Sequence, residues 1–148
     1  MKKIKFFEVL ALIAVISLTV LAGVSCSKAQ ASESQKLTGV TWVLKSFGDP
    51  ANLTPAVADV ETTLQFIADK KEVSGNGGVN GYGGNYAVNK DQLFVSGVVH
   101  TMMASLDEKV MGQENAFFKI LESSKSFKIE GKQLTITGTE GALVFTQK

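Results

Sequence analysis

The sequence predicts a domain of the α+β class that is mostly β. Its short strands are expected to form a curled antiparallel sheet or a partly open barrel, with one main helix packed on it. Turn signals rich in Gly, Asn, Asp and Pro recur after residue 40, and the segments between them alternate apolar and polar residues. This combination is typical of antiparallel sheets and barrels. One segment, at about residues 105–123, has helical spacing instead.

The amino terminus has the three parts of a bacterial secretory signal. Met1–Lys5 is basic, Val9–Val24 is an uncharged apolar run, and the run ends in small residues before Cys26. A membrane-spanning helix needs about 20 apolar residues, so the run is short for a retained anchor. We therefore expect residues 1–25 to be a signal peptide.

Cys26 is the only cysteine of the chain and stands where this signal would be cut. Its context resembles a lipobox, which implies a diacylglyceryl group on the sulfur, cleavage before Cys26 and acylation of the new amino terminus, for example by palmitate. The alternative is an ordinary buried cysteine within a signal that is cleaved elsewhere. Residues 26–36 predict a flexible tether, because they carry no large apolar side chain. The folded domain is then expected at residues 37–148.

Composition argues against several kinds of partner and chemistry. The chain of 148 residues has a net charge of +1, which becomes about −1 without residues 1–25, and it contains no arginine. Its lysines are scattered, so we expect no nucleic-acid partner. His100 is the only histidine and adjoins no cluster of Cys, Asp or Glu. We therefore expect no enzyme activity, no metal and no cofactor.

The first strand of the domain is expected at residues 41–47, with Trp42, Leu44 and Phe47 as core anchors. A polar, alanine-rich segment with two prolines follows at residues 49–60 and predicts a loop or a short turn. Alternation of apolar and polar residues predicts the other strands at residues 61–67, 86–88, 93–96, 126–130, 133–137 and 142–146.

Residues 73–86 hold six glycines, three asparagines and two tyrosines. Such a run is compatible with a phosphate-binding loop or with a bent hairpin that contains glycine bulges. Asn80 stands where a dinucleotide-binding fingerprint needs its third glycine, and a strand pattern rather than a helix pattern follows. The run therefore favours a strand–turn–strand unit.

Ser105 and Glu108 have the spacing of a capping box, which predicts a helix with Ser105 at its N-cap and an end near Ser123. Glu114 lies within the apolar face of this helix. Four residues at helical spacing form that face: Leu106, Val110, Phe117 and Leu121. Three methionines are expected to fill gaps in the core rather than to bind a metal: Met102, Met103 and Met111.

Seven pieces of the domain carry a family resemblance, and they occur in the following order: Trp42-x-Leu44, Leu64-x-Phe66, Ser74-Gly75 with Gly78-Val79-Asn80-x-Tyr82-x-Gly84-x-Tyr86, Thr101-Met102-Met103-Ala104-Ser105, Glu114-x-x-Phe117-x-x-x-Leu121, Gly131-x-x-Leu134-x-Ile136 and Leu143-x-Phe145. Together they resemble the META domain family, which includes HslJ-like heat-shock lipoproteins, over nearly all of residues 37–146. The resemblance implies a structural motif at Gly75, Gly78, Asn80, Tyr82, Gly84, Tyr86, Trp42, Thr101 and Met103.

The resemblance also implies a non-enzymatic lipoprotein of the cell envelope with a stress-response role, including antibiotic tolerance. Such a protein would be held on a membrane by the lipid on Cys26, on the outer membrane where the host has two, and would bind another envelope component. Two alternatives stay open. One is a carrier of a small apolar ligand, in a pocket lined by aromatic residues that are equally suited to the core: Trp42, Tyr82, Tyr86 and Phe117. The other is a protease-inhibitor-like module in the periplasm.

Many members of this family carry cysteines at the positions of Val79 and Ser105. Both cysteines are absent here, as expected if they form a disulfide that needs both partners. The resemblance therefore implies that the Cα atoms of Val79 and Ser105 lie within about 7 Å of each other.

Overall fold

The computed structural model describes residues 35–148, which belong to one compact unit. The predicted signal peptide, Cys26 and the tether up to residue 34 lie outside the described residues. The described part contains nine strands and a long helix, α1 (Glu108–Glu122). The strands are β1 (Trp42–Asp49), β2 (Asn52–Pro55), β3 (Thr63–Ile67), β4 (Glu72–Asn76), β5 (Gly81–Asn89), β6 (Gln92–His100), β7 (Ser124–Glu130), β8 (Gln133–Gly138) and β9 (Gly141–Gln147).

Eight of the strands close into an antiparallel barrel, which confirms the predicted fold class. The order is β1-β3-β4-β5-β6-β7-β8-β9, and β9 returns to pair with β1 from Trp42↔Gln147 to Gly48↔Ala142. The barrel has the least strand pairing between β6 and β7, where Gln92 and Ser126 are the only paired residues. Alternate residues of each strand face the inside, so a two-residue period in the sequence becomes a buried face.

The predicted loop over residues 49–60 is wrong in part, because β2 forms a hairpin with β1. The turn is set by Asp49, whose side chain accepts a hydrogen bond from the Ala51 N–H at 2.8 Å. Pro55 ends β2 at the edge of the sheet, where no N–H is required of it. Short length and polar composition concealed this strand in the sequence.

Helix α1 begins two residues later than predicted. Asp107 is its N-cap and accepts hydrogen bonds from the Lys109 and Val110 N–H groups at 2.8 and 3.4 Å. Ser105 instead accepts a hydrogen bond from the Asp107 N–H. The predicted burial of Leu106 is wrong as well, because it precedes the helix and is fully exposed. An aspartate cap directly before the helix satisfies two N–H groups, and a serine two residues further away cannot.

The core lies inside the barrel and under α1, which contacts β1, β6, β8 and β9. Its largest fully buried side chains include Trp42, Phe117 and Phe145. The predicted core role of the methionines is wrong for Met102 and Met103, whose exposed fractions are 96% and 57%. No helix within residues 35–148 is long and apolar enough to cross a membrane.

Candidate functional site

The glycine-rich run forms the end of β4, a tight turn and the start of β5, which confirms the predicted strand–turn–strand. Within the turn, the Gly77 N–H donates to the Asn80 carbonyl at 2.7 Å, and the Gly78 N–H donates to the Asn76 side chain at 2.7 Å. Gly78 has a φ of 128°, which side chains rarely permit. The turn therefore has a fixed shape before any contact with the helix is considered.

Glu114 of α1 fastens this turn to the helix. Its Oε1 atom accepts the N–H groups of Val79 at 2.9 Å and Asn80 at 2.6 Å, and its Oε2 atom accepts the Asn80 side-chain amide at 2.6 Å. Glu114 is only 2% exposed. Burial of a charged carboxylate is unfavourable unless donors surround it, and here three N–H donors do so.

Asn80 extends the same network to the connector between β6 and α1, residues 101–107. Its Oδ1 atom accepts hydrogen bonds from the Thr101 hydroxyl at 2.7 Å and the Met103 N–H at 2.8 Å, and its amide also donates to the Met103 carbonyl at 3.1 Å. The connector is held through its backbone at Met103, and the side chains of Met102 and Met103 are exposed to solvent. Asn80 thus joins the turn, the helix and the connector.

A second buried side chain, Gln113, ties α1 to the segment before β3. Its Nε2 atom donates to the Thr62 hydroxyl at 3.0 Å, and its Oε1 atom accepts the Val57 N–H at 2.6 Å. The Thr62 hydroxyl in turn donates to the Gly77 carbonyl at 3.0 Å. Among the described residues, no buried side-chain nitrogen or oxygen lacks a hydrogen-bond partner.

Two glycines of the run are required by close packing. A Cβ atom on Gly77 would lie 2.7 Å from Cζ of Phe118 and 2.8 Å from Oε1 of Glu114. A Cβ atom on Gly75 would collide with the Thr63 carbonyl, which accepts the Tyr82 hydroxyl at 2.9 Å. The turn therefore approaches the helix and β3 more closely than any side chain at these positions would permit.

The four aromatic residues considered for a ligand pocket all belong to the core cluster. Trp42 and Phe117 have no solvent-accessible surface, which leaves no room for a ligand beside them. The Trp42 indole donates to the Leu37 carbonyl at 3.0 Å, and the Phe117 ring packs edge-on against Tyr82, with 5.5 Å between ring centroids. Tyr86 packs edge-on against Phe66 at 5.0 Å. The core interpretation of these residues is the one that the structure supports.

Burial raises the pKa of the Tyr82 hydroxyl far above its usual range, because ionisation would place a charge in the core. Burial also raises the pKa of Tyr86. Both hydroxyls are therefore neutral at physiological pH and act as packing groups, and Tyr82 in addition acts as a hydrogen-bond donor.

The remaining motif residues are also placed near the turn. Gly84 pairs with Val73 of β4, next to the irregularity in the β5–β6 ladder. Thr101 and Met103 lie in the connector, as described above. The structure thus brings together Gly75, Gly78, Asn80, Tyr82, Thr101 and Met103, and it places Trp42 and Tyr86 in the core cluster.

Four large apolar side chains are exposed around the connector. Val99 is 72% exposed and Leu106 is fully exposed, with Met102 and Met103 between them in the chain. His100 is also exposed, and its ring stacks on Phe118 with 4.6 Å between centroids and 9° between the ring planes. A shallow pocket of about 290 Å³ lies beside these residues and is lined by Gly81, Tyr82, Gly83, Val99, His100 and Thr101.

A larger open groove of about 420 Å³ lies beside β1 and is lined by residues 43–45 and 56–61. None of the four core aromatics lines this groove. No group of three or more His, Cys, Asp or Glu side chains within residues 35–148 is arranged to hold a metal ion.

Sequence reasoning missed the role of Glu114 and Gln113. A signal was present, because Glu114 lies at helical spacing within an otherwise apolar face, and a carboxylate in that position requires buried donors. The predicted proximity of Val79 and Ser105 remains a prediction. The neighbouring residue Asn80 does contact Met103, two residues before Ser105.

Solved structures of other proteins share this fold. An NMR structure of a protein from Burkholderia xenovorans aligns with a TM-score of 0.64 at 20% identity and covers 79% of this chain and 87% of its own. A second NMR structure aligns with a TM-score of 0.61 at 18% identity and covers 76% and 92%. The crystal structure of a DUF4847 family protein from Bacteroides vulgatus aligns with a TM-score of 0.56 at 13% identity and covers 77% and 96%. No curated protein matches the sequence significantly.

At these identities the structural likeness establishes the fold alone. A match between the sequence and the model of the META domain family is more specific. It extends over residues 35–148 and therefore includes the turn, the connector and the helix that Asn80 and Glu114 join. The match spans most of the chain, and on this basis the protein belongs to the META domain family.

Proposed function

We propose that this protein is a non-enzymatic lipoprotein of the bacterial cell envelope that binds another envelope component through the connector surface, defined here as Val99, Met102, Met103 and Leu106. Membership of the META domain family suggests a stress-related or envelope-associated protein. The proposal adds three points to this: a lipid anchor, an envelope partner and a part in antibiotic tolerance.

The single observation that carries the proposal is the Glu114 network. The carboxylate of Glu114 is the one deeply buried carboxylate among residues 35–148, and it accepts hydrogen bonds from Val79 and Asn80. It therefore serves as a structural acceptor rather than as a general base. Asn80 carries the network on to the connector through the backbone of Met103, and the apolar side chains of Met102, Met103 and Leu106 are exposed there. Exposed apolar residues on a rigid support are typical of a surface that binds a protein.

The lipid anchor is supported by the sequence around Cys26. At full extension the nine residues from Cys26 to residue 34 span at most about 30 Å, so an anchored domain would act close to its membrane. A partner in the same envelope layer would then be met at high local concentration.

The anchor is tested by expressing the full chain in a bacterial host supplied with radiolabelled palmitate. We expect the label on the protein, a membrane location, and loss of both in Cys26→Ser. Ser27→Ala is the matched control and should retain both. A Cys26→Ser protein that is still labelled would contradict the anchor.

The connector surface is tested by photo-crosslinking in cells. A photoreactive amino acid is placed at position 106 and, as a control, at position 128, an exposed site on β7. We expect one envelope protein to be captured from position 106 and not from position 128. Equal capture from both positions, or none from position 106, would contradict the assignment of this surface.

A further inference from the structure

Three soft or borderline metal-ligating groups lie within four residues of exposed chain. They are the imidazole of His100 and the thioethers of Met102 and Met103. Met102 is 96% exposed and Met103 57% exposed. The sequence predicted buried, gap-filling methionines, so an exposed pair is unexpected. Within residues 35–148 neither thioether accepts a hydrogen bond, whereas the Met111 sulfur accepts the Ser105 N–H at 3.3 Å.

The tautomer of His100 suits metal binding. Its Nδ1 atom lies 2.8 Å from the Thr101 carbonyl, which can only accept, so Nδ1 carries the proton. In this tautomer the Nε2 atom carries a lone pair, and it has no hydrogen-bond partner among the described residues. A backbone carbonyl on one ring nitrogen is the usual outer-shell arrangement of histidines that ligate metals through the other nitrogen. Stacking on Phe118 fixes the plane of the ring.

The backbone holds these donors in place. The Thr101 N–H donates to the Gly81 carbonyl at 3.1 Å, so the strand pairing of β6 continues one residue past His100. In an extended chain, side chains two residues apart share a face, with at most about 7 Å between their Cα atoms. Met102 follows His100 by two residues, so an extended backbone through Thr101 would bring these two side chains to one face. Asn80 fixes the next residue, Met103, through both its N–H and its carbonyl.

From this arrangement we propose that the connector carries a binding site for a soft monovalent cation of the Cu(I) class. The Nε2 atom of His100 and the sulfur of Met102 are its main ligands, and the flexible Met103 side chain supplies a third. Thioether and imidazole ligands without carboxylates select Cu(I) over Zn²⁺, Mg²⁺ or Ca²⁺. Binding involves no change in oxidation state. The site does not depend on the lipid anchor or on an envelope partner.

The probe is Ag(I), a redox-inert ion with the preferences of Cu(I). It is titrated into the full chain carrying Cys26→Ser, which removes the one competing thiol, in detergent. The methionine methyl groups are labelled with carbon-13 and followed by NMR. We expect saturable binding of one ion, with shifts of the Met102 and Met103 methyl signals and of the His100 ring, and little shift of Met111. Anaerobic titration with Cu(I) should give the same pattern.

Substitutions assign the ligands. Met102→Leu and His100→Gln should each weaken Ag(I) binding about tenfold or more, and Met103→Leu should weaken it less. Met111→Leu is the matched control and should leave the affinity unchanged, because its sulfur is engaged by Ser105. Zn²⁺ should not compete. Unchanged affinity in Met102→Leu, signals that shift only at Met111, or tighter binding of Zn²⁺ than of Ag(I) would each overturn the proposal. Failure here would leave the palmitate and crosslinking results unaffected.

Discussion

The carboxylate of Glu114 accepts two hydrogen bonds from Asn80, one from its backbone N–H and one from its side-chain amide, both at 2.6 Å. A residue of the only long helix in the described chain thus holds the β4–β5 turn through both the main chain and a side chain. The predictions below test this relationship and the packing around it.

Glu114→Gln should destabilise the protein by about 2–3 kcal/mol, because the new amide presents an N–H group where the carboxylate had accepted one. The measurement is the urea midpoint of unfolding, with the slope checked for constancy. Glu122→Gln makes the same change at an exposed site on α1 and should shift the free energy of unfolding by less than about 0.5 kcal/mol. Equal stability of the two variants would show that Glu114 does not anchor the turn.

Gly77→Ala should lower the free energy of unfolding by about 1–3 kcal/mol, since the added methyl group overlaps Phe118 and Glu114. Gly112→Ala is the counterpart within α1. A Cβ atom there meets nothing within 4 Å, and alanine should stabilise the helix by about 1 kcal/mol. Thermal unfolding of both variants measures the two effects. The two substitutions should change stability in opposite directions, and a neutral Gly77→Ala would contradict close packing at Gly77.

Tyr82 should make the protein less stable in alkaline solution. Burial raises its pKa in the folded state, whereas an unfolded tyrosine ionises near a pKa of about 10. Stability is therefore fully present below about pH 10 and falls as the pH rises above it, because only the unfolded chain then releases the proton. Unfolding by urea between pH 8 and 11 measures the decline.

Tyr82→Phe is the control for this decline. It should lose about 1 kcal/mol at neutral pH with the hydrogen bond to Thr63, and its stability should fall less steeply with pH than that of the unaltered protein. All other titratable groups are common to both proteins, so the difference reports on Tyr82. Parallel pH profiles would refute the prediction.

Val79→Cys combined with Ser105→Cys, in a Cys26→Ser background, should form a disulfide under oxidising conditions. The bridge closes a loop of about 25 residues and should stabilise the domain by about 3–4 kcal/mol. Free-thiol titration and unfolding with and without reductant measure these effects. Each single cysteine variant is a control and should keep its thiol. Two free thiols after oxidation of the double variant would show that the positions are not adjacent.

Much of the fold followed from local pattern. Alternation located most strands, and the glycine-rich run was correctly assigned to a hairpin because Asn80 breaks the nucleotide-binding pattern. What could not be predicted depends on contacts distant in the chain. Residues 52–55 became a strand only because β1 offers them a partner. Closure of the barrel requires β9 to reach β1, and no local pattern encodes that pairing.

The sequence pointed to residues of the site but not to the hydrogen bonds that join them. The family resemblance grouped Asn80, Thr101 and Met103 in one motif, and in the structure the Asn80 side chain bonds the other two. Glu114 was assigned to a helix face and to the same family pattern, but its hydrogen bonds to Asn80 were not predicted. The exposure of Met102 and Leu106 was also missed. The spacing of apolar residues does not show where a helix starts. Here Asp107 caps the helix, so Leu106 lies before it and is exposed.

The helix holds the turn by the main chain at Val79, since Glu114 bonds its N–H and not its side chain. The position of the hairpin therefore does not depend on which side chain residue 79 carries. A change of side chain at position 79, such as valine to cysteine, leaves this hydrogen bond intact. The same independence makes position 79 a place where a label or a reactive group can be introduced while the barrel stays as it is.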